Sequence, residues 1–166
     1  MRSVFYFLVH LNDEIMEYDM ATREVSMVRL PHRVRRLTRS IVLMTDDDGG
    51  LGFAANVKDK LQLWSRVACP DGDAGFVLTR VIDLRKVLPS GALIRNSIQV
   101  NGSADGGASR VLFIRMSDGL YSIEINSSQV RKVANYCCGD KDVVPYISFC
   151  TPTSRVQVQQ YNFACV

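Results

Sequence analysis

Short apolar runs recur about every ten residues along this chain, and within many of them apolar and polar positions alternate. The runs are rich in Val, Ile, Leu, Phe and Tyr and are bounded by Gly, Asp, Asn and Ser. This pattern is typical of antiparallel sheet, and helical spacing is rare; only residues 84–93 suit a helical turn, which Pro89 and Gly91 would end. The predicted strands are Val4–His10, Ile15–Asp19, Val25–Arg29, Ile41–Thr45, Leu51–Ala55, Leu61–Arg66, Phe76–Asp83, Ile98–Asn101, Val111–Met116, Leu120–Ile125, Val130–Val133 and Val144–Cys150.

An internal repeat groups these strands. YFLVHLNDEIMEYDMATREVSMV, from Tyr6, and VLFIRMSDGLYSIEINSSQVRKV, from Val111, share one plan of strand, turn, alternating strand, polar turn and third strand. A middle segment, GLGFAANVKDKLQLWSR followed by GFVLTRVIDL, repeats that plan with longer loops. We therefore predict one all-β domain over residues 1–166, built of antiparallel meanders that form about three blades of a partial or open β-propeller. The approximate blades are 1–45, 46–96 and 97–150, with a C-terminal strand or tail at 151–166.

Composition and charge exclude several classes of protein. The chain has 166 residues, of which 47% are apolar and 22% charged, values typical of one globular domain rather than a disordered chain. A net charge of +3 does not indicate a nucleic-acid partner. No window approaches the roughly 18 to 20 apolar residues of a membrane helix, and Val4–Leu11 lacks a following cleavage site, so we predict no membrane association and a cytoplasmic or nuclear location.

Four Asp-Gly pairs raise the question of calcium binding, most clearly in TDDDGGLGF, Thr45–Phe53. An EF-hand loop needs acidic ligands at alternating positions and a Glu six residues after its glycine. Here the aspartates are consecutive, and Ala55 lies six residues after Gly49. Asp-Gly also suits the positive φ angles of a tight hairpin turn, so we interpret Asp46–Asp48 as the entry to a turn.

Residues able to support catalysis or bind a metal are scarce. His10 lies in a predicted strand and His32 follows Pro31 in a basic loop, and neither has a nucleophile motif nearby. The chain has no GxSxG, HExxH or glycine-rich phosphate loop, and its five cysteines include no CxxC pair. We therefore predict no catalytic residue, no metal site and no cofactor.

Two predicted loops are candidates for protein contacts, because recognition is commonly placed on loops held by a rigid sheet. The first, within RLPHRVRRLTR, has no acidic residue; it suits either an acidic or phosphorylated ligand or a solvated connection between blades. The second is the crossover Cys69–Ala74. The candidate contact residues are Arg33, Arg35, Arg36 and Arg39 in the first loop and Asp71 and Asp73 in the second.

Trp64 is the single tryptophan, in KLQLWSR. Alternation places Trp64 and Gln62 on one face of their strand, with Leu61 and Leu63 on the other. Trp64 therefore either packs between neighbouring blades or marks a ligand-facing surface.

Several segments resemble the C-terminal region of plant F-box proteins, particularly those of the large grass families. These segments are GGLGF, KLQLWSR, GDAGFVLTRVIDLRKVLP, the ADG within Ser103–Gly107, LFIRMSDGLYSIEINSSQVRKV and VPYISFCTP. The opening YFLVHLNDEIMEYDMATREVSMVRLP is similar to the segment just upstream in the same proteins. The resemblance covers nearly the whole chain in the same order.

This resemblance implies a non-enzymatic role in protein interaction. In such proteins an N-terminal F-box docks on the Skp subunit of a cullin-RING ubiquitin ligase, and the kelch-like or galactose-oxidase-like β region captures a target. No leucine- and proline-rich F-box precedes the β region here, so we expect the target-recognition half without the docking half, with ligase subunits reached indirectly. An incomplete propeller would also expose apolar blade faces, which predicts self-association through open blade edges.

Two alternatives remain open at this stage. The chain could be an enzyme or a carbohydrate-binding protein on a galactose-oxidase-like scaffold, although two separated histidines are a poor supply of copper ligands. It could also be a truncated paralogue without independent function.

Overall fold

The chain folds almost entirely into antiparallel strands with tight turns. The computed structural model describes residues 4–9, 13–34, 41–68, 74–89, 98–105 and 110–135, together with the backbone of 143–147 and 161–165. The strands are β1 (Val4–Val9), β2 (Glu14–Asp19), β3 (Glu24–Arg29), β4 (Ile41–Thr45), β5 (Leu51–Val57), β6 (Lys60–Ala68), β7 (Ala74–Asp83), β8 (Gln99–Asp105), β9 (Arg110–Met116), β10 (Gly119–Glu124), β11 (Val130–Asn135), β12 (Val143–Ile147) and β13 (Tyr161–Cys165). The predicted all-β meander is confirmed.

The strands form four sheets in chain order. The first sheet is β1-β2-β3, the second β4-β5-β6-β7, the third β8-β9-β10-β11, and the fourth, as far as the structure describes it, the pair β12-β13. The prediction assigned residues 41–45 to the first blade, which is wrong: β4 pairs along β5, with Ile41 opposite Ala55 and Thr45 opposite Leu51. The strand therefore begins the second sheet, because its backbone hydrogen bonds go to β5.

The predicted helical turn is also present, as helix α1 (Leu84–Val87). The Asp83 carboxylate caps the start of this helix by accepting a hydrogen bond from the backbone N–H of Arg85 at 3.1 Å. Leu88 ends it with an extended backbone immediately before Pro89, as expected for a residue that precedes proline.

Contacts between sheets show which strands are equivalent. β4 lies against β8, and β8 lies against β12, so these three are the innermost strands of successive sheets. β1 contacts β4 in the same way that β5 contacts β8 in the next pair of sheets. On the side away from the innermost strands, β3 contacts β7. β1, β2 and β3 therefore correspond to β5, β6 and β7 and to β9, β10 and β11, in agreement with the sequence repeat that aligned Tyr6 with Val111. Among the described residues the first sheet has no innermost strand.

Apolar side chains fill the two spaces between the first three sheets. Between the first and second sheets, apolar side chains from β2, β3 and the residues after β3 pack against side chains of β4, β5 and β6. The first group is Ile15, Val28, Leu30 and Val34, and the second is Ile41, Leu51, Phe53, Ala55 and Trp64. Between the second and third sheets, Leu61, Leu63 and Ile82 meet Val100, Leu112, Ile114, Tyr121 and Ile123, with Leu84 and Leu88 from the helical turn. Val111, Phe113 and Leu120 form a smaller buried cluster on the opposite face of the third sheet. Face-to-face packing of successive sheets is the arrangement of neighbouring propeller blades.

Candidate protein-interaction surface

The two ends of the stacked sheets carry different turns. We call the end with the β4–β5 hairpin and the turns after β2 and β10 the upper end. The lower end has the β5–β6 and β9–β10 turns and helix α1. Loops at the ends of rigid sheets are where interaction residues are commonly found.

The hairpin at the upper end is ordered by Asp46. Its carboxylate Oδ1 accepts hydrogen bonds from the backbone N–H groups of Asp48 at 3.1 Å and Gly50 at 2.6 Å. Gly49 has a φ of +79°, which glycine adopts without steric cost. The predicted turn at Asp46–Asp48 is therefore confirmed, and the Asp46 carboxylate is used to hold the backbone.

A cleft of about 110 Å³ opens beside this hairpin, between the second and third sheets. Arg110 of β9 crosses the cleft, pairs with the Asp47 carboxylate and donates to the backbone oxygen of Thr45 at 2.8 Å. Arg80 of β7 donates in the opposite direction, to the backbone oxygen of Asn126 and the Oγ of Ser128, both at 3.3 Å. The two arginines thus join the sheets and add charged groups to a lining that also includes the apolar Met44, Leu63 and Ile125.

A third charged contact joins the first two sheets near the same end. The guanidinium of Arg66 lies 2.6 Å from the Glu17 carboxylate, and the two side chains are only 24% and 14% exposed. A charge-assisted pair with such limited exposure is screened less by solvent than a surface pair. It therefore fixes β6 against β2 and limits relative movement of the loops above them.

The lower end carries a separate cluster around Asp118. The Asp118 carboxylate accepts hydrogen bonds from the Tyr121 hydroxyl at 2.5 Å and the Lys132 ammonium at 3.0 Å. The Tyr121 hydrogen bond, assisted by Lys132, lowers the pKa of Asp118. The carboxylate in turn raises the pKa of Lys132, whose ammonium lies 5.6 Å from the centre of the Tyr121 ring. All three residues belong to the third sheet or its turn, so the cluster stabilises that sheet locally.

The first sheet presents an apolar face that points away from the second sheet. Phe5 and Phe7 of β1 are 52% and 50% exposed, and Val25 and Met27 of β3 are also exposed. Pairing across the strands places all four on the same face. Such a continuous apolar surface is unusual for a surface in contact with water alone.

Of the candidate contact residues predicted from sequence, only some lie in the described part of the chain. Trp64 is 8% exposed and stacks on Phe53, with ring centres 5.8 Å apart, so it packs between the first two sheets. It also forms part of the lining of the cleft at the upper end. Its indole Nε1 has no hydrogen-bond partner among the described residues. Arg33 is exposed at the lower end, beside the buried Val34. Arg35, Arg36, Arg39, Asp71 and Asp73 lie outside the described residues, as does His10.

Sequence reasoning missed the two cleft arginines and the exposed aromatic face. Arg110 and Asp47 are separated by 63 positions, so only the packing of two sheets brings them together. Phe5 and Phe7 were recognised as strand residues, and their alternation with Tyr6 was a signal that they share one face.

Within the described ranges, no group of three or more His, Cys, Asp or Glu side chains is placed to hold a metal ion. The same part of the chain contains no helix with the length and apolar character required to span a membrane.

Comparison with known proteins gives one family. The family model described as "F-box protein AT5G49610-like, beta-propeller" matches residues 1–153. No curated protein and no solved structure matches the chain.

Proposed function

The chain belongs to the β-propeller family of F-box proteins like AT5G49610, and we propose that it captures a protein target for a ubiquitin ligase. A propeller of this family fits a protein-interaction module, and the proposed role is non-enzymatic binding. In the F-box proteins that this chain resembles, the F-box binds the Skp subunit, and this helical segment is distinct from the β region. The proposed site of action is the cytoplasm or the nucleus.

The observation that carries this proposal is the charged cleft at the upper end. It lies where two sheets meet, so a bound segment would contact both sheets at once. Its lining combines donors from Arg80 and Arg110 with the carboxylates of Asp46 and Asp47. The same lining includes Met44, Leu63 and Ile125, so the cleft suits a peptide segment that brings an apolar side chain together with groups that donate and accept hydrogen bonds.

The surroundings of the cleft favour a preformed binding surface. Arg110 is held by two acceptors and Arg80 by two others, so neither side chain needs much reordering when a target binds. Asp48 and Asn126 are exposed beside the cleft and add further polar contacts. The proposal therefore predicts that exposed positions around the upper end, and not those of the lower end, determine target binding.

The test is quantitative affinity purification of the tagged chain from plant cells, followed by mass spectrometry. The test variant is Asn126→Lys at the upper end, and the matched control is Lys86→Glu on the exposed side of helix α1 at the lower end. We expect Asn126→Lys to lose at least one protein that the unchanged chain and Lys86→Glu both retain. Skp and cullin subunits recovered together with that protein would support the role in a ubiquitin ligase.

Two results would contradict the proposal in different ways. If the recovered proteins are unchanged by Asn126→Lys but altered by Lys86→Glu, the binding surface lies at the lower end. A target recovered reproducibly without Skp or cullin subunits would retain the binding module but reject its ligase role.

A further inference from the structure

Arg80 reaches the cleft at the upper end because β7 contains a β-bulge. The extra residue is Thr79: before it Leu78 lies opposite Trp64, and after it Arg80 lies opposite Leu63. Residues directly opposite each other on neighbouring strands share a face of the sheet. Leu78 therefore faces the first sheet with Trp64, and Arg80 faces the third sheet with Leu63. Strict alternation would have placed Leu78 and Arg80 on one face, so the bulge brings this guanidinium to the cleft.

The positive charge of Arg80 is less neutralised than that of Arg110. Arg110 pairs with the Asp47 carboxylate. Both contacts of Arg80 are 3.3 Å long, use the single nitrogen Nη2, and end on neutral groups, the Asn126 backbone oxygen and the Ser128 hydroxyl. Within the described ranges no carboxylate pairs with Arg80, and its Nε and Nη1 groups have no acceptor. This side chain therefore offers a ligand both a positive charge and unused N–H groups.

The size and lining of the cleft suit one side chain of a target. Its volume of about 110 Å³ is well below the roughly 300 to 1,000 Å³ of small-molecule sites. Besides Arg80, the lining includes the apolar Met44, Leu63 and Ile125. An acidic side chain matches both parts of this lining, because its methylene groups can contact the apolar residues while its carboxylate accepts hydrogen bonds from a guanidinium.

The neighbouring hairpin favours a carboxylate over a phosphate. The Asp46 carboxylate is held by backbone N–H groups, Asp47 is paired with Arg110, and Asp48 is exposed. These three groups keep negative charge close to the cleft. A phosphate carries about 1.5 to 2 negative charges at pH 7, whereas a carboxylate carries one, so the aspartates repel a phosphate more strongly. One negative charge is also what Arg80 alone can balance.

We propose that the target contributes one aspartate or glutamate side chain to the cleft and that its carboxylate pairs with Arg80. An adjacent apolar side chain of the target packs on Val77, which is 49% exposed and lies opposite Ser65 of the cleft lining. This assignment rests on the proposed function, because it takes the cleft as the place where a target binds. The target class is then a segment in which an acidic residue stands beside an apolar one.

The first test selects binding peptides from a phage-displayed library of short random peptides, with the full chain as bait. We expect enrichment of sequences that place Asp or Glu beside an apolar residue. Arg80→Glu should reverse the preference at that position from acidic to basic residues, a change that a purely structural role of Arg80 would not produce. The matched control is Lys86→Glu, the same change of charge on the exposed side of helix α1, which should retain the acidic preference.

Thermal melting checks that the Arg80 variant is folded. If Arg80→Glu does not fold, Arg80→Gln replaces it, because a glutamine amide can still donate to the acceptors at Asn126 and Ser128. Arg80→Gln should lose the acidic preference without gaining a basic one.

A second test changes the peptide and leaves the chain unaltered. The acidic residue of a selected peptide is replaced by its amide or by phosphoserine, and binding is measured by fluorescence polarisation. The amide form should bind about tenfold more weakly or worse, because hydrogen bonds to a charged group are lost. The phosphoserine form should also bind more weakly than the carboxylate form.

The carboxylate assignment fails if no peptide is enriched, if the enriched peptides share no acidic position, or if a folded Arg80 variant keeps the acidic preference. Tighter binding of the phosphoserine form would overturn it as well. None of these results alters which proteins the unchanged chain and Asn126→Lys recover from plant cells. Capture of a target for a ubiquitin ligase is therefore retained or rejected by its own experiment.

Discussion

Replacing Phe53 by alanine tests whether packing between the first two sheets is the main source of stability. Phe53 is completely buried, stacks on Trp64 and meets the edge of the Phe76 ring at 5.0 Å between ring centres. Phe53→Ala removes the shared member of both aromatic pairs. It leaves the backbone pairing of β5 unchanged, because Ala54 and Ala55 already show that this strand accepts alanine.

The expected loss follows from burial. Truncating a fully buried phenylalanine costs about 3 to 5 kcal/mol in free energy of unfolding, which includes the cavity left behind. Phe5→Ala removes the same atoms from an equivalent position, but Phe5 is 52% exposed, so its loss should be about 1 to 2 kcal/mol. Since the free energy of unfolding of a domain is roughly 5 to 15 kcal/mol, Phe53→Ala should remove a large fraction of it.

Urea unfolding, followed by far-ultraviolet circular dichroism, measures both losses. If Phe53→Ala does not fold, Phe53→Leu provides a milder change of about 2 kcal/mol. Equal losses for Phe53→Ala and Phe5→Ala would refute the reasoning, because the two sites would then be equally buried and the first sheet would not end the described stack.

Two further predictions concern the third sheet. Gly119→Ala should lower the melting temperature more than Gly49→Ala. Both glycines have positive φ, but an added Cβ at Gly119 would lie 2.3 Å from the Ala134 backbone oxygen, whereas an added Cβ at Gly49 would have no atom within 4 Å. Equal decreases in melting temperature for the two variants would argue against that close contact at Gly119. The Asp118 carboxylate has a lower pKa in the folded chain than in the unfolded chain, where it is about 4, so it stabilises the folded state above that pH. This stabilisation is lost as the pH falls through the lower pKa of the folded state, and Asp118→Asn should remove it. Melting temperatures of Asp118→Asn and the unchanged chain should therefore differ at neutral pH and converge in acid, and a gap that persists in acid would exclude the carboxylate as its source.

Much of the sheet order was predictable from sequence, because neighbouring strands are joined by short turns and alternation is a local signal. The repeat from Tyr6 to Val28 and from Val111 to Val133 correctly aligned β1 with β9. The assignment of residues 41–45 failed because an apolar run does not indicate which neighbour it pairs with. That choice depends on the path of the chain between Arg29 and Ile41, which alternation does not encode.

The interaction surface was less accessible to sequence reasoning. Trp64 allowed two interpretations, and only the position of the first sheet over Phe53 decided for packing. The cleft requires Arg110 to reach Asp47 and Arg80 to reach Ser128, across the space between two sheets. Contacts between groups so far apart in sequence follow from the relative placement of whole sheets, which no local pattern specifies.

The order of strands has a consequence for how the chain folds. Each of the first three sheets consists of consecutive strands, so most backbone pairing joins residues that are close in sequence. Pairing of this kind closes short loops and costs little chain entropy before contacts form. We therefore expect the sheets to form one after another as the chain leaves the ribosome, each serving as the surface on which the next one packs.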